Sequence, residues 1–207
     1  MFVTFEGMEG SGKTTQSEWA VEYLANKGLK VTRTREPGGT RLGEHLRKIL
    51  LEKEYSLTPF AEIFLFAADR AEHVEEVLQP ALDRGEIVIC DRYIDSTTAY
   101  QSGGRGLPKE WVENLNKLSS KGLMPDVTIL LDCPVEIGLH RARSKGSPPD
   151  RFESENVAFY QRVRSTYLQI ARLEPGRMHT VNSSSSPEVA RVQIAAILDD
   201  WVSRKHP

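Results

Sequence analysis

Apolar positions in this chain fall into short runs, separated by longer stretches in which they recur every three or four residues. The runs predict strands at 2–6, 30–35, 87–91, 127–132 and 178–181. Ile87-Val88-Ile89-Cys90 and Val127-Thr128-Ile129-Leu130-Leu131 are continuous rather than alternating, as strands buried on both faces require. Between the first two runs, 13–27 predicts a helix with Trp19, Val21, Tyr23 and Leu24 apolar and Gly28 as its stop. A last helix follows Ser186 as N-cap and Pro187 in its first turn, with Val189, Val192, Ala196 and Trp201 recurring on one face. Strands alternating with helices predict a three-layer α/β fold, a five-stranded parallel sheet flanked by helices.

No repeat and no shift of composition divides the 207 residues, so a single domain over 1–207 is expected. The serine run at 183–186 is short enough to be the loop before the last helix. Two breaker-rich stretches, 102–106 and 145–151, read as mobile loops over a site, with a plain surface loop as the alternative. A content of 39% hydrophobic and 27% charged residues excludes wholesale disorder. The net charge of −2 argues against a nucleic-acid partner. The longest apolar run, 63–68, falls far short of the ~20 residues that span a bilayer, and the first residues carry no basic leader. Cys90 and Cys133 sit inside apolar runs as buried reduced thiols, so a cytoplasmic protein is expected. His45, His73, His140, His179 and His206 show no ligand spacing, and no zinc site is expected.

Candidate chemistry begins right after the first strand. Gly7-Met8-Glu9-Gly10-Ser11-Gly12-Lys13-Thr14, continued by Thr15, matches G-x-x-x-x-G-K-[ST] between a strand and a helix. Glycines let the backbone wrap a phosphate closely, and amide N–H groups at a helix N-terminus point at the anion. Lys13 is placed for the β/γ-phosphates of ATP and the Thr14 hydroxyl for Mg²⁺. The bland alternative is a glycine turn that binds nothing. N-K-x-D, the guanine-reading motif, is absent from the chain.

A phosphorylated acceptor needs facing positive charge, and a base needs a flat apolar surface. Phe66 and Arg70 stand at i and i+4 on one helix face, although spacing alone favours a core Phe with a surface Arg. Asp91-Arg92-Tyr93 follows a buried strand, whose end opens into the ligand crevice of a parallel sheet. Asp91 there either holds Mg²⁺ or orients the attacking oxygen, or it caps the next helix. Arg92 is placed to bridge acceptor and donor phosphates.

These segments occur in order along nearly the whole chain. They are Phe5-Glu6-Gly7 with the glycine loop, Arg35-Glu36-Pro37-Gly38-Gly39-Thr40, Phe66-Ala67-Ala68-Asp69-Arg70, Asp91-Arg92-Tyr93 with Ser96 and Ala99-Tyr100-Gln101, and Pro125-Asp126 with Thr128. Together they resemble the bacterial thymidylate kinase family, which makes dTDP and ADP from dTMP and ATP. The resemblance implies a P-loop kinase fold with a short lid at about 141–153, a homodimer, and a cis peptide before Pro37. It implies that Glu9 contacts the deoxyribose 3′-hydroxyl, Phe66 stacks on thymine and Arg70 bonds its O4. Arg47 and Arg92 would hold the dTMP phosphate, with Glu36 and Pro37 in the same pocket. Ser96, Thr97 and Gln101 would line the base, and Tyr100 would stand where a 2′-hydroxyl intrudes.

Members with an Arg in the phosphate loop differ from this chain, which carries Glu9 and Ser11 there. The compensating charge is expected from Arg141, Arg143, Lys145 and Arg151, with Arg143 and Arg151 ranked above Lys145 and Arg141 readable as a solvated helix end. Such a lid excludes water and neutralises charge on the transferred phosphoryl group. Two rivals remain: a kinase for another nucleoside or monophosphate, and a nucleotide switch or assembly ATPase that needs no acceptor.

Overall fold

The computed structural model describes residues 1–144, 146 and 148–205; Lys145, among the expected lid cations, and His206 lie outside these. All the strands expected from the apolar runs form: β1 Phe2–Glu6, β2 Val31–Arg35, β3 Ile87–Asp91, β4 Val127–Asp132 and β5 Met178–Asn182. They build one sheet in the order β2-β3-β1-β4-β5, with every pair parallel. Parallel neighbours need long crossovers, and helices supply them. These are α1 Lys13–Ala25, α2 Arg41–Leu51, α3 Pro59–His73, α4 Gln79–Asp83, α5 Ile94–Thr97, α6 Lys109–Ser119, α7 Val135–Arg143, α8 Val157–Leu173 and α9 Pro187–Lys205. No helix among the described residues is long and apolar enough to cross a membrane.

Alternation along β1 divides the core. Val3 and Phe5 pack with Ala20 and Leu24 of α1 and Ala190, Ile194 and Leu198 of α9. Phe2 faces the opposite side with Val74, Leu78, Val88, Cys90 and Tyr93. A third cluster joins Leu130 and Met178 to α8 through Phe159, Tyr160, Val163 and Tyr167. Both cysteines are buried free thiols. Pairing of Phe5 with Asp91 and Glu6 with Leu130 sets the carboxyl ends of β1, β3 and β4 nearly level. Their following loops therefore open into one crevice.

The glycine-rich segment expected as a mobile loop is packed instead. Thr98–Gly104 is a π-helical continuation of α5 lying against α8. A Cβ on Gly103 would stand 2.2 Å from Thr166 Oγ1, and one on Gly104 would stand 2.5 Å from the Phe159 ring. These glycines serve close helix contact, not mobility. The 145–151 stretch also departs in part: the Arg151 amide donates to the Leu51 carbonyl at 3.0 Å, and Phe152 is buried between α3 and α8.

Candidate active site

The glycine loop closes over the end of β1 with Gly7, Gly10 and Gly12 all at positive φ. At Gly10 any side chain would collide with α7, since a Cβ would lie 1.9 Å from the Gly138 carbonyl oxygen. Met8 points into the core, so it offers the loop only its backbone. Ser11 is also buried, whereas Thr14 and Thr15 are exposed on the first turn of α1. Lys13 folds back to donate to the Met8 carbonyl at 2.8 Å. Burial, with Arg92 next, pushes its ammonium down to about 8, so the charge is held poised for an anion. Thr14 Oγ1 donates to Asp91 Oδ2 at 2.8 Å. Two hard oxygens thus meet beside the loop, the donor type that Mg²⁺ takes, and the residues fit the ion.

Arg92 has φ 72, a left-handed backbone that costs a non-glycine residue about 1 kcal/mol. That turn sends its guanidinium across to the glycine loop, where it donates to the Gly7 carbonyl at 3.0 Å and pairs with Glu9 at 2.7 Å. The Tyr100 hydroxyl donates to the other Glu9 oxygen, and its ring lies 5.0 Å beneath the Arg92 guanidinium. Burial works to raise the Glu9 carboxyl, yet Arg92 and Lys13 hold it below the ordinary range. Glu9 is therefore an anion fixed inside an anion-binding loop, suited to accept a hydrogen bond from a hydroxyl.

The other end of the crevice is built on α3. The Glu36–Pro37 peptide is cis. Arg47 donates to the Pro37 carbonyl at 2.9 Å, and Asp69 Oδ1 accepts the Gly38 amide at 2.9 Å. Arg70 is buried, the reverse of the surface Arg that its spacing favoured, while Phe66 is half-buried at the cleft wall beside Phe152. Arg70 gives Nε to Glu36 Oε2, Nη2 to Thr97 Oγ1 and to Glu36, and Nη1 to Asn116 Oδ1. With these partners in place, Arg70 also lines the cleft. His73 Nδ1 stands 3.0 Å from the second Glu36 oxygen and its Nε2 stands 2.6 Å from Thr34 Oγ1. Gln101 donates to Glu62 at 2.8 Å.

A single cleft of about 220 Å³ joins these ends. Glu9, Gly10, Lys13, Thr14, Glu36, Pro37, Arg47, Phe66, Arg70, Asp91, Arg92, Ser96, Thr97, Tyr100 and Gln101 all line it. Gly7, Met8, Ser11, Gly12 and Thr15 lie on the glycine loop or the first turn of α1, outside the cleft lining. Of the expected lid cations, the described ones, Arg141, Arg143 and Arg151, are not among its lining. Arg151 turns to the Leu50 carbonyl and Glu62, because Phe152 beside it is drawn into the core. Arg143 is exposed at the end of α7. Arg141, readable as a solvated end, instead ties down the carbonyls of Ser183, Ser184 and Ser185 at 2.6, 2.9 and 3.2 Å. Of the described residues in the segment expected as a lid, Asp150, Phe152 and Glu153 line the cleft.

Sequence reasoning missed Glu62, Asp69, His73, Asn116 and Phe152. For the first three a signal existed: with Phe66 and Arg70 they recur every three or four residues along α3, a polar stripe on a helix whose apolar content says it is packed. Asn116 had none.

A parallel sheet ending in a phosphate loop, with a second cationic and aromatic pocket across the same crevice, defines an α/β P-loop kinase acting on a small acceptor. A family model described as thymidylate kinase matches residues 5–194. The thymidylate kinase of Trichlorobacter lovleyi is 48% identical over 98% of this chain and 96% of its own, and that of Desulfovibrio desulfuricans is 46% identical over 99% and 98%. A crystal structure of thymidylate kinase from Ehrlichia chaffeensis superposes with a TM-score of 0.80 at 36% identity, covering 96% of this chain and 98% of that one. This chain belongs to the thymidylate kinase family.

Proposed function

We infer that the protein transfers the γ-phosphoryl group of ATP to dTMP, giving dTDP and ADP for DNA precursor synthesis. The observation that carries this is the one cleft lined by both Lys13 of the phosphate loop and Phe66 and Arg70 of α3. An oxygen of the acceptor phosphate attacks the γ-phosphorus as the bridging oxygen leaves with ADP. That oxygen is already ionised at neutral pH, so no strong base is required. The protein aligns two anions and spreads positive charge over the reacting group. Lys13 faces the donor phosphates, and Arg92 with Arg47 the acceptor phosphate. Thr14 and Asp91 would hold Mg²⁺, which supplies charge neutralisation on the donor. Such an ion would be held by these two side chains beside the donor phosphates.

Base selection rests on Arg70 and Phe66. A guanidinium has only donors, so Arg70 would favour an acceptor such as thymine O4 and oppose the cytosine amino group, itself a donor. Glu9 and Tyr100 serve the sugar, Ser96, Thr97 and Gln101 the pocket wall, and Glu36 and Pro37 the loop that carries them. Gly7, Met8, Gly10, Ser11, Gly12 and Thr15 form the donor cradle. The segment 141–153 serves as lid within one domain over 1–207. Among the described lid cations, Arg143 is exposed at the end of α7 and is the candidate to swing inward, whereas Arg151 pairs with Glu62.

The protein is a homodimer on this reading. Support comes from the side of α3 and α6 away from the cleft, where Phe60, Phe64, Trp111 and Leu118 stay 46, 59, 55 and 75% exposed. Two free buried thiols support a cytoplasmic setting. A coupled ADP-release assay compares dTMP, dUMP, dCMP, dGMP, AMP and no acceptor. Turnover with dTMP well above the others is expected. A preference for another monophosphate discards the base assignment, and equal ADP release without acceptor discards the kinase.

A further inference from the structure

Glu6, the last residue of β1, is fully buried, and the phosphoryl-transfer reading gives it no task. Among the described residues no cation pairs with it directly. Burial, then the neighbouring Asp95, raises its carboxyl to about 7, the mark of how costly an unpaired carboxylate is there, so its acceptor geometry needs another reason.

That geometry converges on one neighbour. Glu6 Oε1 accepts the Tyr93 amide at 2.8 Å, immediately after the left-handed Arg92. Glu6 Oε2 accepts the Ser96 hydroxyl at 2.6 Å and the Tyr167 hydroxyl at 2.9 Å. Ser96 Oγ in turn accepts from Arg92 Nη1 at 3.2 Å. Ser96 has a single proton; once that proton is given to Glu6, its lone pairs are left for the guanidinium. One carboxylate therefore grips the backbone after Arg92 with one oxygen and the hydroxyl under the Arg92 side chain with the other.

We propose that Glu6 is a positioning residue for Arg92, holding its left-handed backbone and the polarity of Ser96 so that the guanidinium meets the acceptor phosphate. This rests on the kinase reading. Released from Tyr93 N, the segment relaxes toward negative φ and swings Arg92 off the Gly7 carbonyl. None of the Glu6 side-chain hydrogen bonds goes to the glycine loop, so its loss is felt through Arg92 more at dTMP than at ATP.

The test is steady-state kinetics on the full chain. Wild-type turnover with dTMP checks the kinase reading on its own. Glu6→Gln keeps the shape and an acceptor for Tyr93 N but presents an amide N–H₂ to Ser96. The expected result is a rise of about tenfold in KM for dTMP, KM for ATP within about twofold, and an unchanged melting temperature. In an Arg92→Lys background the same change should add less than about twofold, since it acts through the group already altered. Glu6→Asp, which withdraws the oxygens by one methylene, should give the same split between substrates and decides the matter if Glu6→Gln does not fold. The proposal is overturned if KM for dTMP stays within about twofold, if both substrates suffer alike, or if the effect multiplies with Arg92→Lys.

Discussion

Charges at the acceptor end of the cleft are arranged by burial as much as by pairing. Asp69 lies wholly inside, with one oxygen on the Gly38 amide and Oδ2 without a partner. Burial, then the neighbouring Glu36, raises its carboxyl from the ordinary 3.8 to about 8. The sign follows from proton counting. Between about pH 4 and 8 the folded state keeps a proton that the unfolded chain has released, so stability falls as pH rises through that window. Asp69→Asn keeps an acceptor for Gly38 and cannot ionise. Its melting temperature should decline less from pH 5 to pH 8.5 than that of the wild type, and parallel profiles would contradict the assignment. At this scale the sequence exposed the residues with recognisable spacing: Lys13, Thr14, Phe66, Arg70, Asp91 and Arg92. It left Asp69 and His73 on a recurring stripe of α3 without a role, because their meaning comes from what they are buried against, Gly38 and Glu36.

Among the elements, the π-helical segment Thr98–Gly104 carries the sharpest lesson. Its composition says loop, because glycine is conformationally free in isolation. In the fold the absent side chains let it lie against α8, and that contact presents Tyr100 and Gln101 to the cleft. Gly104→Ala would drive a methyl group into Phe159 and Val163, both buried. A loss of about 1–3 kcal/mol is expected, read as a lowered melting temperature with a raised KM for dTMP. Gly176→Ala, where an added Cβ meets nothing within 4 Å and φ is not positive, serves as control and should be neutral. Similar effects at the two positions would show that the glycine contact does not matter. The lid is read by the same logic. The basic composition of 141–153 is visible in sequence, but Phe152 seeks the core and Arg151 beside it pairs with Glu62.

For the whole molecule, the parallel sheet fixes where chemistry occurs and the outer helices fix what the surface offers. Phe60 and Trp111 lie 5.6 Å apart, centroid to centroid, on neighbouring helices, with Phe64 and Leu118 exposed beside them. A second copy covering this face should make wild type elute and scatter as two chains. Trp111→Glu should shift it to a single chain, since a carboxylate in an apolar interface is left unpaired. A wild-type monomer would remove the dimer reading without touching the kinase reading, because the cleft lies elsewhere on α3.

By itself, the sequence determined the strands, the parallel α/β architecture, the phosphate loop and the order of the acceptor motifs. Each of these depends on local periodicity or on residues close together along the chain, so one dimension holds the information. Tertiary structure alone decided which cation faces which anion. Arg70 became a buried, nearly saturated donor and Arg151 a latch, and Glu6 came to lie beneath Arg92, 86 positions away. Those outcomes come from competition for a few buried partners, and only folding brings the competitors together.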